Sequence, residues 1–200
     1  LFRSKFYRIL NKYIPLRLSK ISQAVSRRSD LLVNAINKIQ HADLVIGHNP
    51  GALYPTLVAA KQFNCPSGFD VEDYHPGEGN DKHLQKITLS LMQKSLPKFD
   101  YISFASNLIQ KKLAIDLELD NKNWFSILNY FPSNEFVCPN ENHNDAIKFV
   151  WFSQNINSGR GLENILYLFE DETLNIELHL FGNLDSIFYS EVLSKYKNVI

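Results

Sequence analysis

The stretch "ADLVIGHNPGALYPTLVAAKQF", residues 42–63, decides how this chain is read. "ADLVIG" is a short apolar run that ends at Gly47. The turn "HNPG" follows. An apolar run comes next, with Pro55 suited to the first turn of a helix, where its missing N–H is not needed. Strand, tight turn and helix form the unit from which parallel sheets are built. The alternation continues downstream. "CPSGFDV" (65–71) reads as a strand, and "HLQKITLSLMQKSL" (83–96) sets Leu84, Ile87 and Leu91 at helical spacing. "DYISFAS" (100–106) is a strand, "NLIQKKLAIDL" a helix and "WFSILN" (124–129) a strand.

The polar stretch "PNENHNDA" (139–146) breaks this rhythm and is the expected linker. The pattern then restarts. "IKFVWFS" (147–153) reads as a strand, "NINSGRG" as a glycine-bearing turn and "NIELHLFGN" (175–183) as a second strand. Between them "LENILYLFE" reads as a helix with Leu162, Ile165, Leu166 and Phe169 on one face. The expected fold class is α/β, with two Rossmann-like domains built on parallel sheets with helices on both faces. The expected boundaries are 1–140 for the first domain and 146–200 for the start of a second, truncated at Ile200.

Composition narrows the function. At 44% hydrophobic and 12% aromatic the chain can bury a core. Formal charge is zero, but residues 1–40 hold nine Lys or Arg against one acid, Asp30, a net of +8. Such a segment either meets an anionic surface or is a solvated helix face. Cys65 and Cys138 are far apart and in no ligand spacing, which suits reduced thiols in a cytosolic protein. No apolar run is long enough for a membrane span, and no signal peptide is visible.

Ligands of open α/β sheets bind just past the carboxyl ends of the strands. That rule selects His48 and Asn49, then "FDVEDYHPGEGN" (69–80), then Ser106 and Asn129, then Ser153 to Gly161. In "NSGRGLENIL", Gly159 and Gly161 let backbone approach a ligand, and a following helix N-terminus attracts an anion. Arg160 adds a guanidinium that can grip two phosphate oxygens. The alternative is a turn with a surface arginine. Asp70, Glu72, His75 and Glu78 form either a catalytic wall or a solvated acidic loop. They could also supply metal ligands, a reading less favoured because their spacing is no standard metal signature. Ser106 and Asn129 read as capping and turn residues. Trp124 and Trp151 read as core, and His41, His143 and His179 receive no role.

The order of these motifs resembles the GT-B glycosyltransferases, in particular the retaining group called family 4. The resemblance rests on "ADLVIGHNP", "FDVEDYH", "FDYISFASNLIQKKL", "ILNYFPSNEF", "FVWFSQNINSGRGLENIL" and "LHLFGN", and it covers about residues 40 to 185. It implies an acceptor-side domain followed by a domain for a nucleotide-sugar donor, and transfer without a bound divalent metal. Arg160 matches the family's basic residue that contacts the donor diphosphate, where it stabilises a leaving anion. Glu72 stands where the family has histidine, and Ser153-Gln154 where it has Gly-Arg.

The expected catalytic residues are Glu72 and Asp70. Arg160, Gly159 and Gly161 are expected at the donor diphosphate, and His48, Asn49, His75 and Glu78 at the acceptor. The resemblance implies a saccharide or lipid-linked acceptor, a cytoplasmic location and peripheral membrane contact through residues 1–28, with no nucleic acid. A non-catalytic Rossmann-type binding or scaffold domain is the alternative.

Overall fold

The computed structural model describes residues 2–79, 81–119, 123–130, 132–135, 146–171 and 173–200. It divides into two compact units, Leu1–Pro132 and Ser133–Ile200. Both are mixed α/β with parallel strands. The linker expected at 139–146 falls almost wholly outside the described residues.

The first unit opens with three helices, α1 (Phe2–Leu10), α2 (Leu18–Val25) and α3 (Ser29–Ile36). Strands and helices then alternate: β1 (Val45–His48), α4 (Leu53–Phe63), β2 (Ser67–Val71), α5 (Lys82–Ser95), β3 (Tyr101–Phe104), α6 (Asn107–Leu117) and β4 (Trp124–Ser126). The four strands are parallel and lie in chain order, β1-β2-β3-β4. Ser106 caps α6 as expected, its Oγ accepting from Leu108 N–H at 3.1 Å. Asp81 does the same for α5 through His83 and Leu84. Each such cap satisfies donors that the helix itself cannot.

Chain order has a geometric consequence. A right-handed crossover that always steps the same way returns its helix to the same side of the sheet. Phe69, Val71, Ile102, Phe104 and Trp124 share that side and are buried with Leu53 of α4, Leu91 and Met92 of α5 and Leu113 and Leu117 of α6. Each large apolar side chain buried there contributes roughly 1.5–3 kcal/mol. Phe104 and Trp124 pack with ring centroids 5.0 Å apart. The opposite face keeps Ile46 46% and Phe125 43% exposed, with Tyr101 stacked on Phe125 and laid across Gly68. Helices on both faces were expected; among the described residues of this unit they cover one. The helix α2 packs on α4 and α5 rather than on the open face.

The second unit pairs β5 (Ile147–Ile156) with β6 (Ile176–Leu184), in parallel. Val199 makes an isolated parallel bridge to Leu178 of β6, with Ile200 N–H donating to Leu178 C=O at 2.8 Å. Leu162, Leu166, Phe169, Leu178, Phe188 and Leu193 form the core, Phe188 coming from α7 (Ser186–Glu191). The helix expected over "LENILYLFE" is absent. Two 3-10 turns, Leu162–Asn164 and Leu166–Phe169, take its place. Leu162, Leu166 and Phe169 still reach the core, but no side chain caps the first turn. Trp124 is core as expected, whereas Trp151 is half-buried.

A carboxylate joins the starts of β2 and β3. Asp100 Oδ2 accepts from Ser67 N–H at 2.7 Å and from Ser67 Oγ at 2.9 Å. These bonds, the backbone one first, hold the Asp100 carboxyl below its ordinary value of 3.8. A depressed acid stabilises the fold above its ordinary value, and that contribution is lost as pH falls through the lower, folded value. Asp100→Asn should therefore cost stability at neutral pH and flatten the acid limb of Tm against pH below about pH 4. Thermal melts of both proteins from neutral to acid pH check this.

Candidate functional site

The first unit brings three polar side chains together at the carboxyl ends of β1 and β2. Parallel register sets His48, Asp70 and Ser103 abreast on the face opposite the helices. Ser103 Oγ donates to Asp70 Oδ1 at 2.8 Å, which fixes the carboxylate plane. The other oxygen, Oδ2, lies 3.4 Å from His48 Nδ1. Glu72 Oε1, one residue past β2, lies 3.4 Å from the same nitrogen. The side chains of His48, Asp70 and Glu72 are 51%, 30% and 48% exposed, so an incoming molecule reaches them. Two carboxylates around one imidazole can orient a hydroxyl and pass its proton on. Among the described residues this is also the one trio of His, Cys, Asp or Glu dense enough to ligate a metal, its donor atoms within 4.8 Å of one another.

Asn49 carries backbone strain beside this trio. Its φ of 65° and ψ of 147° lie near a region that glycine alone visits readily. Pro50 excludes the helical region for the residue before it and so sets that ψ. The turn is closed by Ala52 N–H donating to Asn49 C=O at 2.9 Å. Such strain costs about 1–3 kcal/mol and persists only where its surroundings enforce it.

The rest of the loop after β2 is pinned. The Tyr74 hydroxyl donates to Asp116 on α6, and Lys112 pairs with the same carboxylate. Burial and then the Asp116 bond raise the Tyr74 hydroxyl above its ordinary value. His75, expected on the acceptor wall, is buried instead, its side chain only 3% exposed. Its Nδ1 meets Glu78 Oε1 at 2.6 Å, and its Nε2 is buried with no partner. The placement follows from Pro76, which together with His75 is tucked into a short 3-10 turn. Glu78 is thus the partner of His75, and the cap of the following helix is Asp81.

The second unit presents the glycine loop. Gly159 and Gly161 both adopt positive φ, 80° and 90°, as a close turn needs. Arg160 Nη2 donates to Ser153 Oγ at 3.0 Å. Ser153 sits in a β-bulge, where β5 carries one residue more than β6 between Phe152 and Asn155. The bulge presses the Ser153 carbonyl on Gly182, where a Cβ would stand 1.9 Å from that oxygen. The expected helix N-terminus is absent. The loop donors face an internal anion: Glu163 Oε1 accepts from Gly159 N–H at 2.7 Å and from Ser158 Oγ at 2.8 Å. Its own backbone N–H, then those of Gly159 and the Ser158 hydroxyl, lower the Glu163 carboxyl below the usual range.

Sequence reading therefore named His48, Asp70 and Glu72 but missed Ser103, their anchor. A serine inside the apolar run "YISF" was the available signal. Glu163, which shares a paired-acid spacing with Asp171 but was discounted on sequence, is the acid in the first turn past Gly161. His41 and His179, given no role, pair with Asp43 and Glu177.

This arrangement is a mixed α/β fold with parallel sheets, similar to that of TarM. Solved structures similar to it include two of the glycosyltransferase TarM. The crystal structure of TarM superposes with a TM-score of 0.63 at 15% identity, covering 86% of this chain and 35% of that one. A mutant of S. aureus TarM in complex with Fondaparinux, alpha-GlcNAc-glycerol and UDP gives 0.63 at 14% identity, with 86% and 36% covered. The chain thus spans about a third of the length of these neighbours. No family model matches it, and no curated protein matches it by sequence.

Asn49→Gly should relieve the strain and raise stability by about 1 kcal/mol, a Tm gain of roughly 2–4 °C for a chain of this size. Calorimetric melting checks it. An unchanged or lower Tm means that the turn holds Asn49 without cost.

Proposed function

We propose that this chain belongs to a glycosyltransferase of the GT-B, family 4 kind. It moves a sugar from a nucleotide-sugar donor to a saccharide or lipid-linked acceptor in surface polysaccharide or glycan synthesis. The observation that carries this reading is the His48–Asp70–Glu72 group at the strand ends of a glycosyltransferase-like fold. In this reading Glu72 orients the acceptor hydroxyl or takes its proton. Asp70, locked by Ser103, holds His48 beside it, and Asn49 shapes the same wall. Arg160 with Gly159 and Gly161 meets the donor diphosphate, where a fixed guanidinium stabilises the charge that forms as the sugar leaves. The S. aureus TarM complex contains UDP, so UDP is the first donor nucleotide to test.

We further infer transfer without a bound divalent metal, a cytoplasmic protein and peripheral contact of residues 1–28 with the inner membrane face. No described helix is long and apolar enough to cross a membrane. A second reading, a non-catalytic scaffold of Rossmann type, is favoured by one feature. Glu163 already occupies donors of the glycine loop, so a diphosphate must displace it.

Calorimetry of the full chain against UDP-, GDP- and CMP-sugars separates the two. The transferase reading expects saturable binding to one class, weakened at least about tenfold by Arg160→Ala through loss of a charge-assisted contact. Glu163→Gln should tighten that binding by freeing the loop. Glu72→Ala should leave donor affinity near wild type and abolish transfer. Equal losses from Arg160→Ala and Glu72→Ala overturn the division of roles. No binding by folded protein favours the scaffold. Chelation of divalent metal should leave transfer unchanged. Loss of activity on chelation, restored by added metal, would reassign His48, Asp70 and Glu72 as ligands.

A further inference from the structure

Within the first unit, several cations gather where α1 meets the turn between α2 and α3. A cavity of about 450 Å³ opens there, lined by Ser4, Lys5, Arg8, Ser26, Arg27 and Arg28. Arg8 is structural: its Nε donates to the Ala24 carbonyl at 2.7 Å and ties α1 to the end of α2. Ser4, buried, donates to the same carbonyl at 3.1 Å. The remaining cations have no such commitment. Asp30, the one acid of residues 1–40, faces Arg3 at 3.6 Å and lines a neighbouring hollow of about 250 Å³. Among the described residues Lys5, Arg27 and Arg28 form no ion pair. Like charges sharing one cavity repel, and an anion entering it turns that repulsion into attraction. Guanidinium forks match phosphate oxygens in pairs.

The helix beside the cavity adds an apolar edge. Phe2, Phe6 and Ile9 stand at i, i+4 and i+7 of α1 and are 84%, 50% and 58% exposed; Tyr13 just beyond is 78% exposed. At about 100° per residue the three fall in one stripe. Lys5 and Arg8 fall on the flank between that stripe and the buried Ser4. An exposed apolar stripe with cations along its flank is the pattern of a helix lying in a lipid interface.

We propose that this cavity is a phosphate-binding site and that the phosphate is the headgroup of an anionic lipid, bound while Phe2, Phe6 and Ile9 enter the interface. The proposal deepens the membrane-contact reading above, and the site is independent of sugar transfer. The apolar stripe distinguishes a lipid from a free phosphate, which has no use for it.

Vesicle flotation of the full chain tests this, with vesicles of phosphatidylcholine alone and of phosphatidylcholine with phosphatidic acid or phosphatidylglycerol. Flotation with the anionic vesicles alone is expected. Lys5→Gln with Arg28→Gln should weaken it about thirtyfold, by the loss of two basic contacts near the surface. Lys38→Gln with Lys61→Gln removes the same charge from exposed positions outside the cavity and should change it less than about threefold. Phe2→Ser with Phe6→Ser should also release the protein. Equal losses from the two lysine-containing pairs overturn the cavity and leave general charge attraction. Binding of inorganic pyrophosphate by calorimetry without flotation overturns the lipid and leaves a soluble phosphate as ligand. Binding of neither overturns the site. Nucleotide-sugar calorimetry on the same variants reports the transferase reading separately, because the cavity variants leave the glycine loop intact.

Discussion

The first unit depends on one packing constraint: four parallel strands in chain order, returned by crossovers of one hand, leave one sheet face to the helices and the other open. The helix-covered face concentrates Phe69, Phe104, Met92, Leu91 and Leu113, all fully buried. The open face carries His48, Asp70 and Ser103 in one row. The two-residue period of the strands sends the core side chains to one face and this polar row to the other, which it shares with Ile46, Tyr101 and Phe125. A polar group on the helix face would lose its water without compensation. On the open face His48 and Asp70 keep water, and the buried Ser103 hydroxyl is satisfied by Asp70. The same alternation that builds the core thus delivers the acids and the histidine to one accessible edge.

Backbone chemistry then refines that edge. Asn49 is held near a glycine-only conformation by Pro50 and by the closing turn. The loop after β2 is tied to α6 through Tyr74 and Asp116 and closes on itself through His75 and Glu78. Glu72 sits between these anchors and stays exposed. The glycine loop of the second unit is organised differently. Its donors are satisfied from within by Glu163, and its arginine rests on the Ser153 hydroxyl. A glycine loop that carries its own carboxylate is held by internal bonds, and any anion entering it must displace that carboxylate.

Much of the fold was legible in the chain because parallel strands announce themselves as short apolar runs between helical patterns. All six of these runs lead to strands near the expected places, and Ser106 caps its helix for the reason its side chain suggests. The misreadings have physical causes. "LENILYLFE" has helical spacing, yet Gly161 offers no cap and Glu163 turns back to the loop, so only 3-10 turns form. Helices on two faces were inferred from alternation alone, which says nothing of the order in which strands pair. His75, expected at the acceptor, is folded inward by the Pro76 turn and its contact with Glu78, neither of which its place after a strand reveals.

By itself the sequence determined the element types, the polar residues that follow each strand, and the cationic start of the chain. These are local properties, set by side-chain periodicity, turn chemistry and charge. Tertiary structure alone decided strand order, and with it which face stays open. It also decided that His48 and Glu72, 24 positions apart, share one nitrogen–oxygen contact of 3.4 Å. The pairing of Ser103 with Asp70 and the convergence of Lys5 with Arg27 and Arg28 arise the same way. Contacts between distant positions depend on how elements pack, and packing energy is not written in any one stretch of chain.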